Sequence, residues 1–177
     1  MITPDVAGGL LRSPPNSEAG VPDDAALTDE AAFSVTFGRM ANILLTSDVY
    51  CKLPLLEVAE LLQPPILLGQ CAVFHEPIGE LPTASAFAVW AFVSPEVDDR
   101  LTTIASGPLR LSPEDWSSGD IPWLIECHGE PSAVDALLQY LIDGPLANPE
   151  TRGRILSTDG ACQIVKLAEL APIKTPE

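Results

Sequence analysis

The chain has 177 residues, 25 of them acidic and 9 basic, for a formal net charge of −16 and a pI near 4.2. A surface this acidic repels phosphate backbones and anionic headgroups, which excludes nucleic acid and anionic membranes as partners. The chain is nevertheless 46% hydrophobic with a mean hydropathy of +0.22, so the acidity covers a folded core and is not a mark of disorder.

The length fits one domain. Residues 1–26 read as a flexible N-terminal tail, punctuated by Gly8-Gly9, Pro14-Pro15, Gly20 and Pro22. Four acids and one arginine give this segment −3 and leave −13 of the −16 on residues 27–177. No apolar stretch approaches the ~20 residues of a membrane span. Met1 to Asn16 has no basic region ahead of a long apolar core, so neither a signal peptide nor a span is expected, and the expected location is the cytoplasm. Cys51, Cys71, Cys127 and Cys162 form no C-x-x-C pair and sit at no ligand spacing from the two histidines. They are expected to be free, mostly buried thiols with no metal site.

Thr28 is expected to cap the first helix, with Asp29 and Glu30 in its positive first turn. Phe33, Phe37, Met40 and Leu44 then form one apolar stripe that runs to about Leu45. A second helix is predicted from Pro54 to Leu62, stopped by Pro64-Pro65. Ile66–Phe74 and Thr83–Val93 read as strands, joined through Gly79 and Pro82 into an antiparallel pair. Ser94-Pro95-Glu96 opens a short helix, Pro108–Asp120 is a loop, and Ile121–Cys127 is a strand. Pro131–Ile142 is an amphipathic helix with Val134, Leu137, Leu138 and Leu141 inward. Arg154–Thr158 and Ala161–Leu167 flank Asp159-Gly160, a hairpin-turn signal. One domain over residues 27–170 follows, with a frayed end at 171–177. It is an α/β fold with a mixed, mainly antiparallel sheet and helices packed on it.

No phosphate-binding loop, dinucleotide fingerprint, zinc-protease helix or nucleophile elbow is present. The segment Asp115-Trp116-Ser117-Ser118-Gly119-Asp120 stands out. Asp120 at the edge of a strand is placed to orient a base or hold an amine; equally, the segment reads as a turn whose Asp and Ser side chains satisfy backbone donors. His75 and His128 each follow a strand, as solvated turn residues or as bases. Asp120 and His128 lie at opposite ends of one predicted strand, too far apart to form a dyad. Cys51 beside Lys52 is either an activated thiol or an ordinary one.

Four blocks in order resemble the toxin-activating lysine acyltransferases, the hemolysin-activating proteins of RTX systems. The first lies between Gly38 and Ser47, and the second is Pro65-Ile66 with Gln70. The third is Trp90-Ala91-Phe92-Val93-Ser94-Pro95-Glu96, similar to W-A-x-L-S-x-E. The fourth, Glu114 to Asp120 followed by Trp123, is similar to D-W-x-S-G-x-x-x-W. The resemblance implies a GNAT-like acyltransferase fold, a central twisted sheet flanked by helices. It implies transfer of a fatty acyl group from acyl carrier protein, or a similar thioester donor, to a protein lysine. No bound cofactor is implied. The partners implied are that donor and a protein substrate of RTX type or rich in lysine, and the resemblance admits a homodimer.

Carried over onto this sequence, the family's aspartate falls on Asp120, its serine on Ser47 and its histidine on Tyr50. Trp116, Ser118, Gly119 and Trp90 fall in the substrate-binding blocks. Tyrosine, with an unperturbed pKa near ~10, is a poor base at neutral pH but can act as an acid toward a leaving thiolate. Acyl carrier proteins are acidic, so a domain charge of −13 opposes their docking unless Arg100, Arg110, Arg152 and Arg154 cluster. Two readings follow: a divergent acyltransferase, or a pseudoenzyme kept as an acyl- or protein-binding module.

Overall fold

In the structure, a computed structural model, residues 5–6, 24–78, 81–103, 110–156 and 162–170 are described. Six strands form one sheet in chain order: β1 (Asp5–Val6), β2 (Cys71–Ile78), β3 (Leu81–Val93), β4 (Ile121–Gly129), β5 (Arg152–Leu156) and β6 (Cys162–Lys166). Neighbours are antiparallel except β4 and β5, which are parallel. The crossover that parallel pairing requires is α4 (Pro131–Asp143). On one face lie α1 (Asp24–Leu44), α2 (Leu55–Leu68) and α3 (Pro95–Thr103); on the other lie α4 and the short α5 (Leu167–Leu170). This is the α/β architecture with a mostly antiparallel sheet expected from the sequence. No helix of the described residues is long and apolar enough to cross a membrane.

The core has two layers. Met40, Ile43 and Leu44 of α1 and Val58, Leu61 and Leu62 of α2 pack on Phe87, Val89, Ala91 and Val93 of β3. Leu137, Leu138 and Leu141 of α4 pack on Ala86, Ala88 and Trp90 of the same strand. Val134, expected inward, is only partly buried, and Ala133 takes the inner position.

Several boundaries differ from expectation. Two pieces of the expected tail are built into the fold: Asp5–Val6 pairs with Val73 and Ala72, and α1 begins at Asp24, four residues before Thr28. Ala25, Ala26 and Leu27 are strong helix formers, and they extend the helix beyond the cap signal. The second helix does not stop at Pro64-Pro65 but runs through both to Leu68. The prolines remove two donors from the helix ladder. Burial of Pro65 and Ile66 against the core offsets that loss, and the helix ends only at Gly69, which has φ 67 and donates to Ile66 O. Ile66–Leu68 is therefore helical, and the strand expected from Ile66 begins at Cys71. The hairpin of β5 and β6 is present, while its Asp159-Gly160 turn and residues 171–177 lie outside the described residues.

The β2–β3 and β3–β4 pairings each carry one extra residue. The β3–β4 register shifts between Val89, opposite Glu126, and Trp90, opposite Leu124, leaving Ile125 as a bulge. The β2–β3 register shifts at Ser85, whose hydroxyl donates to Phe74 O. The loop ahead of β4 lies tightly against the end of β3. Gly119 N–H donates to Phe92 O, and a Cβ at Gly119 would sit 2.5 Å from Val93 O. By contrast, a Cβ at Gly38 in α1 meets nothing within 4 Å. Gly119→Ala is therefore expected to destabilise the fold by about 1–3 kcal/mol. Gly38→Ala should be neutral or stabilising by up to ~1 kcal/mol. Urea denaturation of the two variants checks the contrast.

Candidate active site

Past α1 the chain turns through residues 45–49 into a single 3-10 turn, Tyr50–Lys52. Ser47 Oγ accepts from the N–H groups of Val49 and Tyr50, each at 3.4 Å, and Thr46 Oγ1 donates to Ile43 O at 2.7 Å. These bonds fold the turn back and drive Tyr50 inward, to 5% exposure. Its phenol donates to Glu126 Oε1 at 2.6 Å. The other oxygen of the same carboxylate, Oε2, lies 2.8 Å from His128 Nε2. An ionised carboxylate only accepts, so in that contact the Nε2–H is the donor. The Tyr50 and His128 rings meet edge to face at 4.5 Å.

The bulge at Ile125 makes this possible. Trp123 and Ile125 point toward α1 and α2. Strict alternation would then put Cys127 on that face and turn Glu126 and His128 toward α4. The extra residue reverses the phase, so Glu126 and His128 face Tyr50 while Cys127 packs with the α4 layer. Gly129 closes the strand at φ +143, where a Cβ would lie 2.2 Å from Ser85 O. Burial and the Glu126 charge push the Cys127 thiol up to about 12, and burial alone does the same to Cys71, so neither is a nucleophile at neutral pH. Cys51, expected buried with the others, is exposed.

Tyr50 and Glu126 lie on the wall of a small cleft of about 40 Å³. Leu53, Leu61, Leu111 and Trp116 supply its apolar lining; Glu57, Glu60 and Arg110 supply charge. Arg110 pairs with Glu57 at 2.8 Å, so the cleft is net acidic.

The expected pairing of Tyr50 with Asp120 is not formed. Asp120 is exposed at the start of β4, six residues from Glu126, or roughly 20 Å along an extended strand. Ser47 shapes the turn that carries Tyr50. Ser118 and Gly119 are committed to the loop: Ser118 Oγ accepts from Ser94 N and donates to Asp115 O. Trp90 is buried on the α4 face of the sheet, away from the cleft. Of the residues placed in substrate-binding blocks, Trp116 alone lines the cleft. Among the described residues its buried indole N–H has no hydrogen-bond partner, whereas the indole of Trp123 donates to Asp98 at 2.7 Å. An unpaired buried donor of this kind costs about 1–3 kcal/mol.

Sequence reasoning missed Glu126. The signal was a lone carboxylate inside the apolar strand Ile121–Cys127, with a histidine two positions on, the spacing that places both on one face.

Residues 29–168 match the profile of the RTX toxin acyltransferase family (HlyC). The chain belongs to that family. Among curated proteins no match is found. Membership in the RTX toxin acyltransferases implies a protein substrate and an acyl donor. The matched span begins in α1 and ends in α5, so it takes in both core layers and the Tyr50–Glu126–His128 cluster. It also agrees with a GNAT-like fold.

In this acyltransferase the Asp-Trp loop is anchored by charge. Asp115 pairs with Arg100 and accepts from Ser112 N at 2.8 Å. Burial works against its ionised form, but the Ser112 bonds and the Arg100 guanidinium outweigh it and hold the carboxyl below its ordinary 3.8. The stabilisation is thus present above that pH and is lost as the pH falls through the lowered value. Asp115→Asn is expected to cost about 1–2 kcal/mol at neutral pH. The gap from wild type should narrow at about pH 2, as chemical denaturation at the two pH values will read.

Proposed function

We propose that the protein transfers a fatty acyl group from a thioester, carried on acyl carrier protein or a similar donor, to a lysine of a protein substrate of RTX type. One observation carries this reading: within the span matched to an acyltransferase family, a glutamate on the cleft wall contacts both a phenol and an imidazole. A lysine amine attacks a thioester only when neutral, so the site needs a base. The Glu126–His128 pair is that base and takes up one proton as a unit. Tyr50 occupies the place of the family's histidine and serves as the acid. Its proton goes to the departing thiolate, and the phenolate regains one from the pair across the Tyr50–Glu126 hydrogen bond. His128 thus supplies from a strand the imidazole that the α1 turn lacks.

The acidic cleft favours a cationic acceptor. It is less suited to an acidic carrier. Arg100, Arg110 and Arg152, three of the four arginines considered for docking one, are each paired with a carboxylate: Asp115, Glu57 and Asp98. A less acidic thioester donor fits this surface better.

The test is transfer of a labelled acyl group from carrier-bound and pantetheine thioesters to a lysine-bearing protein, read as acyl-lysine by mass spectrometry. Glu126→Gln is expected to lower turnover by about 10²–10⁴-fold. His128→Gln should lower it at least ~10-fold, and Asp120→Ala should leave it near wild type. Absence of transfer by the wild type with every donor would refute the enzyme reading and leave a binding module.

A further inference from the structure

Acyl transfer to an amine passes through an oxygen that gains negative charge. The amine nitrogen bonds to the carbonyl carbon, and the C=O electron pair moves onto oxygen. That pair then returns, the C–S bond breaks, and the sulfur leaves as a thiolate that takes up the proton the amine gives away. The products are an amide and a thiol. A donor fixed beside that oxygen, in a site shielded from water, binds the transition state more strongly than the substrate. The base and acid assigned above leave this role unfilled.

We propose that the indole N–H of Trp116 is this donor, and that it binds the carbonyl oxygen of the thioester in the cleft beside Tyr50 and Glu126. The inference rests on the acyl-transfer reading and gives one more residue of the same site a contact with substrate. Trp116 is 1% exposed, yet it shares the cleft with the acid and the base. Its Nε1 has no acceptor among the described residues, while the equally buried Trp123 indole is satisfied by Asp98. A buried N–H left over in this way calls for an acceptor from outside the protein, and a carbonyl oxygen is one.

The backbone that carries the ring is also held in place. The Gln70 side-chain nitrogen, in the amide orientation its surroundings require, donates to Trp116 O at 3.1 Å and to Trp90 O at 3.2 Å. On either side of the indole, Asp115 is fixed by Arg100 and Ser112, and Ser118 by Ser94 N. Such rigidity is what a donor needs if no reorganisation is to accompany the reaction.

The test has a spectroscopic and a kinetic arm. The protein, labelled with ¹⁵N at its three tryptophan indoles, is titrated with two unreactive acyl-pantetheine analogues. In one, a methylene replaces sulfur and the carbonyl is kept; in the other, the thioether remains and the carbonyl is removed. The Trp116 indole proton, assigned with Trp116→Phe, is expected to move downfield with the ketone and to stay in place with the thioether. In the kinetic arm, Trp116→Phe keeps the ring, loses the donor, and is expected to lower kcat by about 10²-fold with the donor KM changed only a few-fold. A bound ketone that leaves the indole unmoved, equal shifts with both analogues, or a folded Trp116→Phe with wild-type kcat would overturn the assignment. If Trp116→Phe does not fold, the wild-type titration decides alone. Transfer by the wild type with an unresponsive indole refutes this assignment only. A carbonyl-dependent shift without transfer refutes the enzyme reading and keeps the carbonyl site. Neither shift nor transfer refutes both.

Discussion

A strand alternates its side chains between two faces, and β4 would spend that alternation badly if it ran unbroken. Trp123 and Ile125 belong to the core under α1 and α2, so Glu126 and His128 would fall beneath α4, where a carboxylate finds only apolar neighbours. The extra residue at Ile125 moves both polar groups to the face that carries Tyr50 and hands Cys127 to the apolar layer. Bulges re-aim side chains at sites of this kind. Here a single one sets the contents of two layers at once: the Tyr50–Glu126–His128 cluster on one side and an uninterrupted core on the other. Gly129, the Ser85 bulge and the pinned loop at Gly119 all serve to hold β3 and β4 in that register.

Charge works on a different scale. Residues 27–177 carry −13 of the −16, and within the cleft the acidity becomes specific, because Glu57, Glu60 and Glu126 face a single arginine already engaged by one of them. The field at long range and the lining at short range therefore agree in sign. Both favour a cation over an anion at the cleft.

The sequence shows the layers more readily than the site. Helical stripes such as Met40–Leu44 and the strand pattern around Thr83–Val93 report burial on one side of an element, and burial is what the fold rewards. Pro64-Pro65 misleads because the penalty of a helical proline is local while its compensation, the packing of Pro65 and Ile66, is tertiary. Tyr50 is marked as a site residue by family resemblance, and its neighbourhood is then misjudged. Asp120 sits in the more conspicuous motif, but the acidic group that reaches the phenol is Glu126, brought there by a register shift that has no local sequence signature. Ser118 and Gly119, also part of that motif, turn out to hold the loop against β3. Within that block Asp115, Ser118 and Gly119 hold the loop, and Trp116 lines the cleft.

The imidazole of His128 is carried by β4 and the phenol of Tyr50 by the turn after α1, so the two halves of the cluster depend on different parts of the fold. Glu126 and His128 are two positions apart on one strand, so their separation is fixed by the backbone repeat and not by how a helix settles on the sheet. Tyr50 alone is borne by the α1–α2 connection. A partner that levers those helices would therefore leave the Glu126–His128 contact intact and withdraw only Tyr50; with the roles proposed above, proton uptake from the amine and proton delivery to the thiolate are then mechanically separable.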